Sequence, residues 1–197
     1  MGKRVVVLAS GNGSNAQAVL DRTDLGGDVV AVVTDVPEAF VLQRATDAGV
    51  EGVCVDRRGY EDRKTWEDAL IDAVADRAPD VIVLAGFMRI LSGAFVRRWP
   101  ILNVHPSLLP SFPGAHAVED ALEHGVKVTG VTVHFVVEEV DAGPIVAQEA
   151  VAIGPDDTAD SLHERLKTIE HRLLPDAVAL FCADRLQLTG RKVRINP

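Results

Sequence analysis

Apolar residues in the first half of the chain come in short unbroken runs separated by amphipathic stretches. Arg4 to Ala9 contains a β-branched run of the kind a strand buried on both faces requires, and Ala16 to Leu20 reads as helix. Val29 to Thr34, Val53 to Val55, Val81 to Leu84 and the run from Ile101 to Val104 are predicted as further strands. Between them, Ala39 to Ala48 is a predicted helix ended by Gly49, and Asp62 to Arg77 is another. Trp66, Leu70, Ile71 and Val74 recur on this second helix at helical spacing, so the Trp is expected in the core. A short helix is predicted near Gly93 to Arg98. Strand and helix in alternation predict an open, mostly parallel twisted sheet with helices on both faces, an α/β fold.

The pattern changes after a proline-rich loop. Val118 to His124 reads as a short helix ended by Gly125. Val128 to Val137 and Ile145 to Ile153 alternate apolar and polar, which predicts an antiparallel strand pair in the C-terminal half. Asp157 or Thr158 can cap a long last helix, Ala159 to Cys182, expected to bend or restart near Pro175. The tail Gly190 to Pro197 is expected to add an edge strand or to trail. No repeat or linker divides the chain, so 1–197 is expected to be a single domain.

Composition narrows the function classes. The 197 residues carry a formal charge of -9, which gives no electrostatic footprint for nucleic acid. An anionic ligand would need local donors, either backbone amides or a few Arg and Lys. Val5 to Ala9 is too short for a signal peptide, and no apolar run approaches the ~18 residues of a membrane span. A cytoplasmic protein is expected. Cys54 and Cys182 lack metal-like spacing and are expected to be reduced core or near-core thiols. Neither zinc nor another metal is expected.

Two stretches carry candidate chemistry. Ser10-Gly11-Asn12-Gly13-Ser14-Asn15 joins a strand to a helix start, where free amides and glycines can cradle an anion. The plainer reading is a tight turn capped by Ser14 or Asn15. Gly11-x-Gly13-x-x-Ala16, with Asp35 at the end of the next strand, also meets a relaxed dinucleotide pattern, which keeps a nicotinamide-cofactor enzyme as an alternative. The second stretch is Asn103-Val104-His105-Pro106. Alternate positions put the amide and the imidazole on one side of a strand end, where both can donate to a developing oxyanion. Asp141 lies in the loop between the antiparallel strands and can pair with His105 if that loop folds back, favouring the imidazolium. The plainer readings are a His and an Asn that satisfy loop carbonyls, and a turn carboxylate. His134, on an alternating strand, is read as a neighbour of this group. His124, at a helix end, is expected to serve C-terminal carbonyls, and His163 and His171 are expected to be solvated or structural.

Five motifs occur in order: Ser10 to Asn15, Leu84-Ala-Gly-Phe-Met-Arg-Ile-Leu91, Asn103-Val-His-Pro-Ser-Leu-Leu-Pro110, Phe112-Pro-Gly-Ala-His116 and Asp141-Ala-Gly-Pro-Ile145. Together they make the chain resemble the phosphoribosylglycinamide formyltransferase (glycinamide ribonucleotide transformylase) family of folate-dependent formyltransferases. The resemblance runs from the first strand to the last helix. It implies a Rossmann-like formyltransferase domain, with 1–100 as the nucleotide and phosphate half and 101–197 as the catalytic and folate-loop half. It implies formyl transfer from the co-substrate 10-formyltetrahydrofolate to the amine of 5-phosphoribosylglycinamide, in purine biosynthesis, without a metal. Asn103, His105 and Asp141 match the catalytic trio, with Asp141 keeping His105 charged. Gly13, Ser14 and Asn15 match the phosphate site, so a Cβ at Gly13 is expected to crowd the phosphate. Lys167, Thr168, Ile169 and Glu170 match the segment whose Glu contacts the ribonucleotide. Arg63, Met88, Arg89, Ile90 and Leu91, with Asn103 and the loop Val137-Glu138-Glu139-Val140-Asp141, match the folate contacts. The loop opens on Val137 where family members often carry a polar residue, and Ala115 and Val118 also depart from the family's usual Leu and His. A hydrolase of 10-formyltetrahydrofolate stays open as a related alternative. Small-molecule partners are expected, with no nucleic acid and no membrane, and a homodimer is compatible with these patterns.

Overall fold

The computed structural model describes residues 2–197. Its first half alternates strand and helix: β1 (Lys3–Leu8), α1 (Ser14–Leu20), β2 (Gly27–Thr34), α2 (Val41–Asp47), β3 (Glu51–Cys54), α3 (Arg63–Ala75), β4 (Val81–Leu84), α4 (Gly93–Val96) and β5 (Ile101–His105). There follow α5 (Ala117–Glu123), β6 (Val128–Phe135), β7 (Ile145–Ala152), α6 (Ala159–Cys182), β8 (Leu186–Thr189) and β9 (Lys192–Ile195). One nine-stranded sheet runs in the order β3-β2-β1-β4-β5-β6-β7-β9-β8. The strands from β3 to β5 are parallel, while β6 and β7 run antiparallel to their neighbours in the β5-β6-β7 run. Going from β1 to β2 the chain moves one way across the sheet, and at β4 it turns the other way. The C-terminal ends of β1 and β4 are therefore a topological switch point, where open α/β sheets leave a crevice.

Period-two alternation splits the core between the two faces of the sheet. Val5 and Val7 of β1 face one cluster with Ala16, Val41, Leu162, Leu166 and Leu174 from α1, α2 and α6. Val6 and Leu8 face the other, with Trp66, Leu70, Ile71 and Val74 of α3 and Phe95 of α4. Trp66 lies in the core as expected, and its indole N–H donates to the Val55 carbonyl at 2.9 Å. Among the described residues no helix is long and apolar enough to cross a membrane.

Three details differ from the sequence pattern. α6 runs unbroken through Pro175. Leu173, Leu174, Ala177 and Val178 are buried around it, and their packing outweighs the ~3 kcal/mol cost of an interior proline. The tail does form a strand, β9, but β9 is the inner member of a hairpin. It pairs with β7 at Ile145–Lys192, and the unanticipated β8 lies outside it as the sheet's edge. Cys182 is buried, whereas Cys54, on the opposite edge strand β3, is exposed.

Candidate active site

A cleft of ≈ 420 Å³ opens at the switch point, lined by Asn15 beyond β1, Leu84 and Gly86 to Leu91 beyond β4, and Asn103 to Pro106 at the end of β5. The β6–β7 loop lines it through Val136, Val137, Glu138, Val140 and Asp141, and His134, His163 and Glu170 are also in its lining. The two glycine-bearing loops are joined by a hydrogen bond from the Ser10 amide to the Gly86 carbonyl at 3.0 Å.

The inner wall holds the chemistry. Asn103 and His134 face each other across the β5–β6 ladder, and Asn103 Nδ2 donates to His134 Nε2 at 3.2 Å. His134 Nδ1 donates to the Phe135 carbonyl at 2.9 Å, so its Nε2 is free to accept. His105 is buried, and its Nε2 donates to the Phe112 carbonyl at 2.8 Å. Asp141 sits between the two imidazoles: Oδ2 is 3.5 Å from His105 Nδ1 and Oδ1 is 3.6 Å from His134 Nε2. Oδ2 also accepts from the Gly114 amide at 2.7 Å. Burial pushes the Asp141 carboxyl up, but the His134 imidazole, the Gly114 amide and the His105 imidazole outweigh it. The carboxyl is held below its ordinary range. The β6–β7 loop thus does fold back over the end of β5 and brings Asp141 beside His105, while His105 also satisfies a loop carbonyl, that of Phe112.

The loop after His105 is stiffened by more than its prolines. Thr132 Oγ1 donates to the Ser107 carbonyl at 2.6 Å and accepts from the Leu109 amide at 3.1 Å, and Gln148 Nε2 donates to the Leu109 carbonyl at 2.9 Å. β6 and β7 therefore hold the 107–109 stretch that leads on to Phe112 and Gly114, the groups His105 and Asp141 use.

At the other end of the cleft, Gly13 takes a left-handed φ of 75° and α1 has no side-chain cap. The capped-turn reading of Ser14 and Asn15 is thereby corrected, since Asn15 Nδ2 points instead to Glu170 Oε2 at 2.8 Å. Glu170 is itself buried, and Asn15 Oδ1 is buried without a partner among the described residues. A Cβ on Gly13 would overlap Val41 Cγ2, so the packing of α2 alone already requires a glycine here. Of the four expected positions on α6 only Glu170 lines the cleft. Lys167 Nζ pairs with Glu164, the Thr168 hydroxyl bonds the Glu164 carbonyl, and Ile169 packs on the core.

The third wall is apolar and exposed: Met88 is 70% and Ile90 63% exposed, and Leu91 is buried behind them. Four groups pin it. The Met88 amide donates to Ser10 Oγ, Arg63 donates to the Ile90 carbonyl, the Ser92 amide donates to Glu67, and Arg89 Nε donates to Asp35. Arg63 therefore supports the backbone of this wall and is not among the residues that line the cleft. Asp35, the acid of the dinucleotide pattern, is buried and occupied by Arg89, so it offers nothing to a ribose. Opposite, Glu138 pairs with Arg97, and Glu139 is exposed outside the lining. Among the described residues no group of His, Cys, Asp and Glu is placed to hold a metal ion.

Two histidines belong to the site more closely than the sequence pattern suggests. His134, expected only as a neighbour, touches Asn103 and faces Asp141 directly, a placement that follows from the β5–β6 register. His163, expected to be solvated or structural, is half-buried and lines the cleft, and only its seven-residue spacing from Glu170 hints at it in the sequence. His124 Nδ1 donates to the Asp120 carbonyl at 2.9 Å, the helix-end role expected of it.

The chain has similar counterparts among known proteins. The formyl transferase family model matches residues 3–178. The phosphoribosylglycinamide formyltransferase of Escherichia coli is 42% identical over 93% of this chain and 89% of its own length. The trifunctional purine biosynthetic protein adenosine-3 of Bos taurus is 44% identical over 98% of this chain, which spans only 19% of that longer protein. The crystal structure of glycinamide ribonucleotide transformylase 1 from Symbiobacterium toebii superposes with a TM-score of 0.95 at 44% identity, covering 100% of this chain and 95% of that one. The chain belongs to the formyl transferase family, among its phosphoribosylglycinamide formyltransferases.

Proposed function

We propose that the protein transfers the formyl group of 10-formyltetrahydrofolate to the amine of 5-phosphoribosylglycinamide, with Asn103, His105 and Asp141 as the catalytic trio. The observation that carries this reading is their convergence on one wall of a cleft. That cleft reaches from Asn15, the last residue of the glycine-bearing turn, to the apolar Met88–Leu91 wall. The phosphate of the ribonucleotide goes to the amides of Gly13, Ser14 and Asn15, and its ribose reaches Glu170. The flat folate heterocycle lies between Met88–Leu91 and the 137–141 loop, where apolar side chains and backbone donors suit it.

In the reaction the amine nitrogen bonds to the formyl carbon, and the carbonyl π pair moves onto oxygen. The tetrahedral intermediate then collapses by breaking the bond to N10 of the folate. The attacking nitrogen loses a proton and N10 gains one, giving the N-formyl product and tetrahydrofolate. Asn103 gives one amide proton to His134 and keeps the other for the oxyanion. His105 has its Nε2 proton on Phe112, so it can donate to the oxyanion only through a second proton on Nδ1, as the imidazolium. At 3.5 Å the Asp141 contact with Nδ1 is too long to be a full hydrogen bond, which leaves that donor open to a nearer oxygen. Asp141, held ionised, balances the imidazolium and positions water to carry the proton between the two nitrogens. Losing one oxyanion donor costs ~2.7–4 kcal/mol of transition-state stabilisation, a hundred- to a thousand-fold in rate.

The test is an assay for tetrahydrofolate release by the wild-type protein. Release that depends on 5-phosphoribosylglycinamide is expected. Release at the same rate with water alone would make the protein a hydrolase, and no release would end the proposal.

A further inference from the structure

Asp35 stands just past the C-terminal end of β2, where a dinucleotide-binding fold would present its ribose-binding acid. Here the residue is 2% exposed, and one carboxylate oxygen accepts from Arg89 Nε at 2.6 Å. The other oxygen, Oδ1, is buried without a partner among the described residues. A carboxylate so placed is a poor source of stability, because burying a charge costs more than one contact returns. Its consequence falls on Arg89. The backbone around Arg89 is already fixed by Ser10 at Met88, Arg63 at Ile90 and Glu67 at Ser92, so the loop does not need Asp35 to hold its course. Asp35 acts on the guanidinium alone.

With Nε engaged inward, the Arg89 side chain remains 45% exposed on the lining of the cleft. Neither of its terminal nitrogens bonds another group among the described residues. A guanidinium whose stem is anchored and whose outer edge is free matches a carboxylate in bidentate fashion. Anchoring removes rotamers that binding would otherwise have to freeze.

We propose that Asp35 is a positioning residue that holds the Arg89 guanidinium at the exposed edge of the cleft to receive a carboxylate of the folate co-substrate's glutamate tail. This rests on the folate reading given above.

Calorimetric titration with tetrahydrofolate and with tetrahydropteroate, which lacks the glutamate, tests the role. Asp35→Ala should bind tetrahydrofolate about tenfold more weakly, as expected for a broken contact pair, and should bind tetrahydropteroate as the wild type does. Asp35→Asn, which can still accept from Nε, should fall between. Arg89→Gln should lose as much as Asp35→Ala, and the double variant no more than Arg89→Gln alone. Equal weakening toward both ligands, or undiminished tetrahydrofolate binding, overturns the proposal. In the ligand-free wild type, the Arg89 Nε–H should exchange with water more slowly in ¹⁵N NMR than those of the exposed Arg98 and Arg194, whose Nε bonds no group among the described residues. Exchange just as fast overturns the proposal even if the variants do not fold. A wild type that discriminates the two ligands in this way yet transfers no formyl group overturns the proposed function and leaves the positioning role standing.

Discussion

Asp141 links the chemistry of the site to the stability of the fold. Its carboxyl is held below the ordinary value of 3.8 by the imidazoles of His134 and His105 and the Gly114 amide, against the opposing effect of burial. A carboxyl depressed in the folded state contributes stability that is fully present above its unfolded pKa and is lost as pH falls through the folded one. Asp141→Asn should therefore lower stability at neutral pH by about 1–3 kcal/mol, the scale of a hydrogen bond to a charged group. The gap between the two melting temperatures should close as pH drops below about 4. A gap that stays constant down to about pH 2 would mean the charge on Asp141 contributes nothing to folding. Much at this scale was legible in the sequence, because Asn103 and His105 sit at alternate positions before a proline. The direct part of His134 was not. It depends on the cross-strand pairing of Asn103 with His134, and a shift of one residue would have sent that imidazole to the other face of the sheet.

Among the elements, the loops that frame the cleft are set by close approaches that side-chain patterns do not reveal. Gly13 reads in sequence as room for a phosphate, yet its left-handed φ and its close approach to Val41 make it a packing position between α1 and α2. Gly13→Val should therefore destabilise the protein by about 1–3 kcal/mol or more through overpacking and strain. Thermal unfolding should show a lowered midpoint before any ligand is added. An unchanged midpoint with selective loss of ribonucleotide binding would restore the simpler view. Gly143 is tighter still, since a Cβ there would run into the Phe135 carbonyl oxygen. Gly143→Ala should push the β6–β7 connection off β6 and carry Asp141 away from His105. Its kcat should fall by more than its melting temperature alone explains, and an intact kcat would show that the loop tolerates the shift. The strand–helix order, both glycine-bearing loops and the antiparallel pair were predictable from periodicity. The β8–β9 hairpin and the unbroken α6 were not, because both are decided by what packs on them.

The whole molecule is acidic, with a formal charge of -9, yet its proposed ligands are anions. Binding must then be local, at backbone amides and at single arginines such as Arg89, and should leave a confined footprint. Hydrogen exchange with a folate lacking the formyl group should protect amides at 88–91 and 137–141, while the ribonucleotide alone should protect those at 13–15. Protection confined to the glycine turn with both ligands would count against two adjoining subsites.

The central claim is that Asn103 and His105 stabilise an oxyanion that exists only along the reaction path. It is tested most directly by measuring kcat beside the dissociation constants of both substrates for Asn103→Ala, His105→Asn and the double variant. Each single change should lower kcat about a hundred- to a thousand-fold with affinities nearly unchanged, and the double should fall short of the product of the two, since groups acting as a unit are not additive. Losses that appear in affinity while kcat holds would contradict the claim.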